Sequence, residues 1–214
     1  MEKDSKRVTE GLEIGAMRAS DAEEVLGVLT RGMRDNPLHV AAFGENSQVR
    51  ERRIHRIFSG AYRVLGLDRH ALVARSKGGA IVGVLGMQIP GECRPGLGQQ
   101  LRLLPALLST GPGSAGRSTR WMGVWAKHDP DVPHWHLGPV AVDTHLQGRG
   151  VGSNLMRVFC AKMDAAEEDA YLETDKEINL PFYERFGFEV VGTEKVLGVP
   201  NWFMTRRARL PWLD

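Results

Sequence analysis

The sequence has two cysteines, Cys93 and Cys160, far apart and without CxxC spacing. This argues against a disulfide framework and against a cysteine-built zinc motif. Cys160 falls within an apolar helical pattern, where a free thiol behaves as a small hydrophobe. No apolar run approaches the length of a membrane span. The charged stretch 1–7 lacks an apolar signal region, so the expected location is the cytosol, away from membranes. The formal charge of +2 is too small to indicate a nucleic-acid binder. The short basic clusters Arg50, Arg52, Arg53 and Arg206, Arg207, Arg209 read as solvated faces. Aromatic residues make up only 7%, but 42% hydrophobic residues in 214 are enough for one core. That length predicts one domain, spanning 11–214 behind a flexible polar stretch 1–10.

Strands and helices alternate along the chain. Residues 12–17 alternate as a first strand. Ser20 and Glu23 stand at capping-box spacing before a helix carrying Val25, Leu26, Val28 and Leu29. Val49, Ile54, Ile57, Phe58 and Tyr62 have helical spacing within 47–65. Residues 71–75 and 80–87 read as strands joined by a turn at Ser76, Lys77, Gly78 and Gly79. Residues 90–133 then change character. Two helices, over 97–108 and 116–127, flank a Gly/Ser-rich joint at 109–114. This segment reads either as a wall of an acceptor pocket or as a scaffold hairpin. Beyond it come a strand over 135–142, a helix over 150–166, a strand over 170–174 and a short helix over 179–185. Two last strands, 188–196 and 202–207, form a hairpin through Gly198, Val199 and Pro200.

The most informative string is Gln147-Gly148-Arg149-Gly150-Val151-Gly152-Ser153, set between an apolar strand and an amphipathic helix. Its three glycines leave little side chain between the backbone and a ligand. N–H groups of the first helical turn can then converge on one anion, with the helix dipole adding favourable charge. Arg149 adds a cation. The string is neither a Walker A loop nor a dinucleotide fingerprint, because no Gly-Lys-Ser/Thr and no GxGxxG spacing is present. By itself it is also compatible with a purely structural turn.

Its context is more specific. Gln-x-x-Gly-x-Gly after Val140-Ala141-Val142-Asp143 resembles the acyl-CoA motif of the GNAT superfamily of N-acetyltransferases. The string Asn179-Leu180-Pro181-Phe182-Tyr183-Glu184-Arg185-Phe186-Gly187-Phe188 is similar to the second signature of that superfamily, in the right order. From 134 to 207 the resemblance is closest to the branch containing puromycin N-acetyltransferase. Leu172-Glu173-Thr174 and Trp202-x-Met204-Thr205-Arg206 also fit that branch.

The resemblance implies a mixed α/β (α+β) fold with a mostly antiparallel, splayed sheet and helices on both faces. It implies acetyl-CoA as co-substrate, with the pantetheine arm lying along Val140, Ala141 and Val142 as an added strand. Gln147, Gly148, Arg149, Gly150, Val151, Gly152 and Ser153 would hold the pyrophosphate. Gly138-Pro139 suits a bulge, since proline cannot donate to a ladder. In the family a backbone N–H near Val140 stabilises the oxyanion. The resemblance also places Tyr183 beside the sulfur, where a phenol that is neutral at pH 7 can protonate the leaving thiolate. Asn179 would contact the pantetheine amides or cap the helix entry.

The acceptor must lose a proton. Glu173, on a strand facing the cleft, and His136, on the neighbouring strand, are the candidates for that role. His128, His134 and His136 lack carboxylate or cysteine partners at ligand spacing, so no metal is expected. Neither cysteine has an activating partner in the sequence, which favours direct attack in a ternary complex. The expected acceptor is the primary amine of a small molecule, with Trp121, Trp125 and Trp135 either lining its pocket or packing in a core. A protein amine acceptor, a non-catalytic acyl-CoA sensor and a nucleotide enzyme are the competing readings. A homodimer is compatible with the resemblance, although nothing in the sequence specifies one.

Overall fold

The computed structural model describes residues 11–66 and 69–209. The expected flexible stretch 1–10 lies outside the described residues. Seven strands form one sheet in the order β1-β2-β3-β4-β5-β7-β6. They are β1 (Glu13–Ala16), β2 (Leu72–Arg75), β3 (Ile81–Gln88), β4 (Trp135–Val142), β5 (Ala170–Thr174), β6 (Glu189–Val196) and β7 (Val199–Arg206). Every neighbouring pair is antiparallel except β4 and β5. Among the described residues seven α-helices accompany them. These are α1 (Ala22–Met33), α2 (Pro37–Phe43), α3 (Ser47–Leu65), α4 (Leu97–Leu108), α5 (Pro112–His128), α6 (Val151–Ala165) and α7 (Leu180–Glu184). Among the described residues no helix is long and apolar enough to cross a membrane.

Helices cover both faces of the sheet. α6 turns Val151, Leu155, Met156, Phe159 and Met163 onto one face, against Leu72, Leu85, Leu137 and Leu172. α1 turns Val25, Val28 and Leu29 onto the other, against Val73, Ile81, Val84 and Ala141. Both stripes recur at i, i+3 and i+4, the spacing of one helical face. β3 is covered on both sides, which is why its sequence is a continuous apolar run. A Cβ on Gly83 of this strand would come within 2.8 Å of Val151. The start of α6 therefore seats directly on the sheet.

Some boundaries differ from the sequence reading. Ser20 does not cap α1. Asp21 instead accepts the Arg18 N–H at 2.6 Å, and the helix begins one residue later. α2 was not expected; Pro37 opens it at a position where a missing N–H costs nothing. α5 starts at Pro112, so half of the expected Gly/Ser joint is helical. The β6–β7 turn is the pair Leu197 and Gly198, with φ of 53° and 83°. Val196 faces Val199 across it, a two-residue turn matched to strand twist.

Residues 90–133 do form two helices. α5 bridges α2 to the β6–β7 hairpin: Arg117 donates to the Ala42 carbonyl at 2.9 Å, and Trp125 donates to Asn201 at 2.9 Å. α4 leaves Leu97, Leu101, Leu104 and Leu108 exposed. The three tryptophans do not line one pocket. Trp121 and Trp125 meet edge to face, while Trp135 packs in the main core and donates to Glu168.

Candidate active site

β4 and β5 are paired only at Trp135↔Ala170 and His136↔Tyr171. Beyond these pairs the strands part, as the resemblance implied. The other edge of β4 stays bonded to β3, with one extra residue on β4 between Leu137 and Val140. That bulge contains Gly138 and Pro139. Opposite it stands Gly86, where a Cβ would lie 2.8 Å from the Pro139 ring. Val140, Ala141 and Val142 thus form a strand edge facing an open notch, held rigidly from behind.

The 147–153 turn continues from this edge. Gly148 and Gly150 have φ of 72° and 86°, a left-handed conformation that L side chains resist. Gly150 is the residue before α6, and Asn154 donates back to its carbonyl. The first-turn N–H groups of Val151, Gly152 and Ser153 have no carbonyl inside the helix to donate to. Gln147 does not face outward alone; its amide donates to the Val142 carbonyl at 3.1 Å and ties the turn to the strand end. Arg149 is exposed. Arg31 of α1 bonds Asp143 at 2.9 Å, fixing the entry to the turn. Burial opposes the Asp143 charge, but Arg31 more than offsets it and holds the carboxyl below its usual range.

Tyr183 lies on α7 between the rings of Phe182 and Phe188. Burial, assisted by the Asp175 charge, pushes its hydroxyl up to about 12. Asn179 does not cap α7 through its side chain; it donates to the Thr174 hydroxyl at 3.3 Å. The next residue along, Asp175, was not singled out by the sequence. It is buried and accepts the Leu38 N–H of α2 at 2.7 Å.

Glu173 and His136, alternatives in the sequence, form one pair. His136 Nε2 lies 2.9 Å from Glu173 Oε2, across the last paired residues of β4 and β5. The pair belongs to a larger cluster. His134, just before β4, and His136 on it turn their rings toward each other, and Asp129 and Cys93 reach them from either end of the helical insertion. The Asp129 carboxylate Oδ1 is 3.3 Å from both His134 Nε2 and His136 Nδ1. Ligand atoms of Cys93, His134 and His136 all lie within 4.8 Å of one another.

Charges in this cluster support each other. Burial disfavours a charged His136, yet Glu173 and Asp129 raise its affinity for a proton well above the ordinary imidazole value. Burial also works against a Cys93 thiolate, but His134 and His136 bring the thiol down to about 7. Two expectations lose their basis here. The histidines do have thiol and carboxylate company, and Cys93 does have activating partners. Neither was visible because Asp129 and Cys93 arrive from loops. His128 stands apart, stacked on Phe203 and bonded to Glu194 at 2.7 Å.

A cavity of about 550 Å³ lies elsewhere, between α1 and α3. Arg31, Arg52, Arg56 and Glu51 line it, and Arg31 links it to the turn through Asp143.

The model of the acetyltransferase (GNAT) family matches residues 38–188. Among solved structures, the chain is similar to one described as histone acetyltransferase HPA2 and related acetyltransferase from Corynebacterium glutamicum. They share 21% identity with a TM-score of 0.71, over 95% of this chain and 99% of that one. A polyamine N-acetyltransferase of Drosophila melanogaster, which catalyses the formation of N-acetylagmatine, has 12% identity and a TM-score of 0.62, covering 92% and 99%. A GNAT family acetyltransferase from Brucella melitensis, solved with acetyl-CoA, has 20% identity and a TM-score of 0.51, covering 92% and 87%. At these identities the likeness is one of fold.

Proposed function

The chain belongs to the GNAT family of acetyltransferases, and from that premise we propose that it transfers an acetyl group from acetyl-CoA to the primary amine of a small molecule. The observation that carries this reading is the junction of the parted β4 edge with the 147–153 turn. A pantetheine arm added along Val140, Ala141 and Val142 would deliver its pyrophosphate to the first N–H groups of α6. The acetyl-CoA held by the Brucella melitensis relative supports the same co-substrate.

In this proposal the neutral amine attacks the thioester carbonyl carbon directly. The C–N bond forms, and a backbone N–H near Val140 stabilises the oxyanion. The C–S bond then breaks. Glu173, held by His136, takes the amine proton. Tyr183, whose burial keeps it protonated, gives a proton to the CoA thiolate. We take the 90–133 segment as one wall of the acceptor site, since α5 joins α2 to the β6–β7 hairpin.

The small-molecule acceptor is supported by the polyamine relative, and the nearness to the puromycin branch by the strings quoted above. An amine panel with thiol detection of released CoA tests both. It includes agmatine, polyamines, arylalkylamines, puromycin and amines carrying a carboxylate. Turnover on a peptide or protein amine, with none on the panel, overturns the small-molecule reading. Initial-rate lines that intersect support direct attack, whereas parallel lines point to an acyl-enzyme.

A further inference from the structure

Four buried or half-buried groups meet below the notch, and with both imidazoles neutral His134, His136 and Asp129 turn bare acceptor atoms toward one another. His134 Nδ1 is 2.8 Å from the Val132 carbonyl, so this nitrogen carries the proton and donates. In the neutral ring its Nε2 is then a bare lone pair. His136 Nε2 is engaged by the Glu173 carboxylate, which accepts only, so Nε2 carries a proton, and in the neutral ring Nδ1 is bare. Asp129 is oriented by Arg94, which bonds its Oδ2 at 2.9 Å and leaves Oδ1 pointing at the two rings. Oδ1, His134 Nε2 and His136 Nδ1 are all buried, and none has a hydrogen-bond partner among the described residues. With both rings neutral, three acceptor atoms thus converge beside the Cys93 sulfur. Buried polar groups rarely stay unpaired without a reason, and a metal cation, in place of a second proton on His136, would satisfy all three atoms at once.

The spacing of Asp129 from the two rings suits a small tetrahedral ion. Bonds of about 2.0–2.1 Å to nitrogen or oxygen at tetrahedral angles set ligand atoms about 3.3–3.4 Å apart. Oδ1 is 3.3 Å from each bare nitrogen. One thiolate, two imidazoles and one carboxylate is a mixed set suited to zinc rather than to calcium or magnesium, which prefer oxygen. The outer contacts also resemble those of ligating histidines, which commonly donate their second N–H to a carbonyl or carboxylate. Here these are Val132 for His134 and Glu173 for His136.

We propose that Cys93, His134, His136 and Asp129 form a structural zinc site that fastens both ends of the helical insertion to the start of β4. Cys93 leaves the sheet just after β3, and Asp129 directly follows α5. One ion therefore closes the 89–134 segment at its base, with Glu173 outside the ligand set and bonded to His136.

The test uses the full-length protein after removal of any histidine tag. Metal analysis of the purified protein should give about one zinc per chain, and Cys93→Ser and His134→Gln should each lower that to near zero. Cys160→Ser, remote from the cluster, should keep the metal. Because the ligand variants can misfold, the unaltered protein is also stripped and titrated with Co(II). Intense tetrahedral d–d bands with a thiolate-to-cobalt charge-transfer band are expected. Absence of zinc in the purified protein, combined with absence of those bands, overturns the site. Zinc retained undiminished by both ligand variants overturns it equally. Both readouts are independent of acetyl transfer, so they stand or fall separately from the proposed reaction.

Discussion

The backbone N–H of Leu38 donates to the Asp175 carboxylate at 2.7 Å, joining residues 137 positions apart. Asn36, the residue in the capping position of α2, makes no side-chain cap, so Asp175 serves as a cap supplied from the end of β5. Removing it leaves an N–H without a partner at the helix start. Asp175→Ala is expected to lower stability by about 1–2 kcal/mol in urea unfolding. A change within error would show that α2 is held by its apolar contacts alone.

His39 gives the fold a pH dependence. It is buried among Phe43, Phe58 and Trp121, and burial pushes its pKa down to about 3. The unfolded chain takes up this proton near 6.5, whereas the folded chain does not until about pH 3. Its contribution is therefore intact above pH 6.5 and is lost as the pH falls below it, by about 1.4 kcal/mol per pH unit. Urea midpoints at pH 7.5 and 5.0 should reveal a loss of about 2 kcal/mol from this group. His39→Gln should make the decline shallower; an unchanged slope sinks the assignment.

Tyr183→Phe separates chemistry from binding. The ring contacts with Phe182 and Phe188 remain, and only the hydroxyl is lost. Turnover should fall about 10²-fold, while calorimetric affinity for acetyl-CoA stays within about twofold. Undiminished turnover would remove Tyr183 as the proton donor.

Gly150→Ala does the reverse. At a φ of 86° a Cβ is strained, so the turn must relax and its N–H groups lose their aim. Acetyl-CoA affinity is expected to drop about tenfold by calorimetry, with a cost to stability of about 1–2 kcal/mol. Equal affinity in the variant would mean that the pyrophosphate sits elsewhere.

What the sequence revealed follows the range of the interactions involved. The α6 stripe, the β2–β3 turn at 76–79 and the bulge at Gly138-Pro139 are set by neighbours a few residues away, and all were legible. The 147–153 turn was legible for the same reason. α2 was missed because seven residues make little periodic signal, and its cap comes from Asp175, far along the chain. Asn36 followed by Pro37 was the one local hint. His134 and His136 stand two apart at the start of β4, so their nearness was readable. Their company was not: Cys93 and Asp129 are brought in by the packing of a long insertion, and no spacing rule connects them to β4.

The two-pair junction between β4 and β5 has a mechanical consequence. The sheet is not uniformly stiff; it consists of two leaves, β1-β2-β3-β4 and β5-β7-β6, stitched at one short seam. Backbone cross-links elsewhere in the sheet are longer, so this line is its most compliant. Widening or narrowing the notch amounts to rotating one leaf against the other about Trp135, His136, Ala170 and Tyr171. The His136–Glu173 hydrogen bond spans the same seam, so a change in the angle between the leaves would register first in that pair.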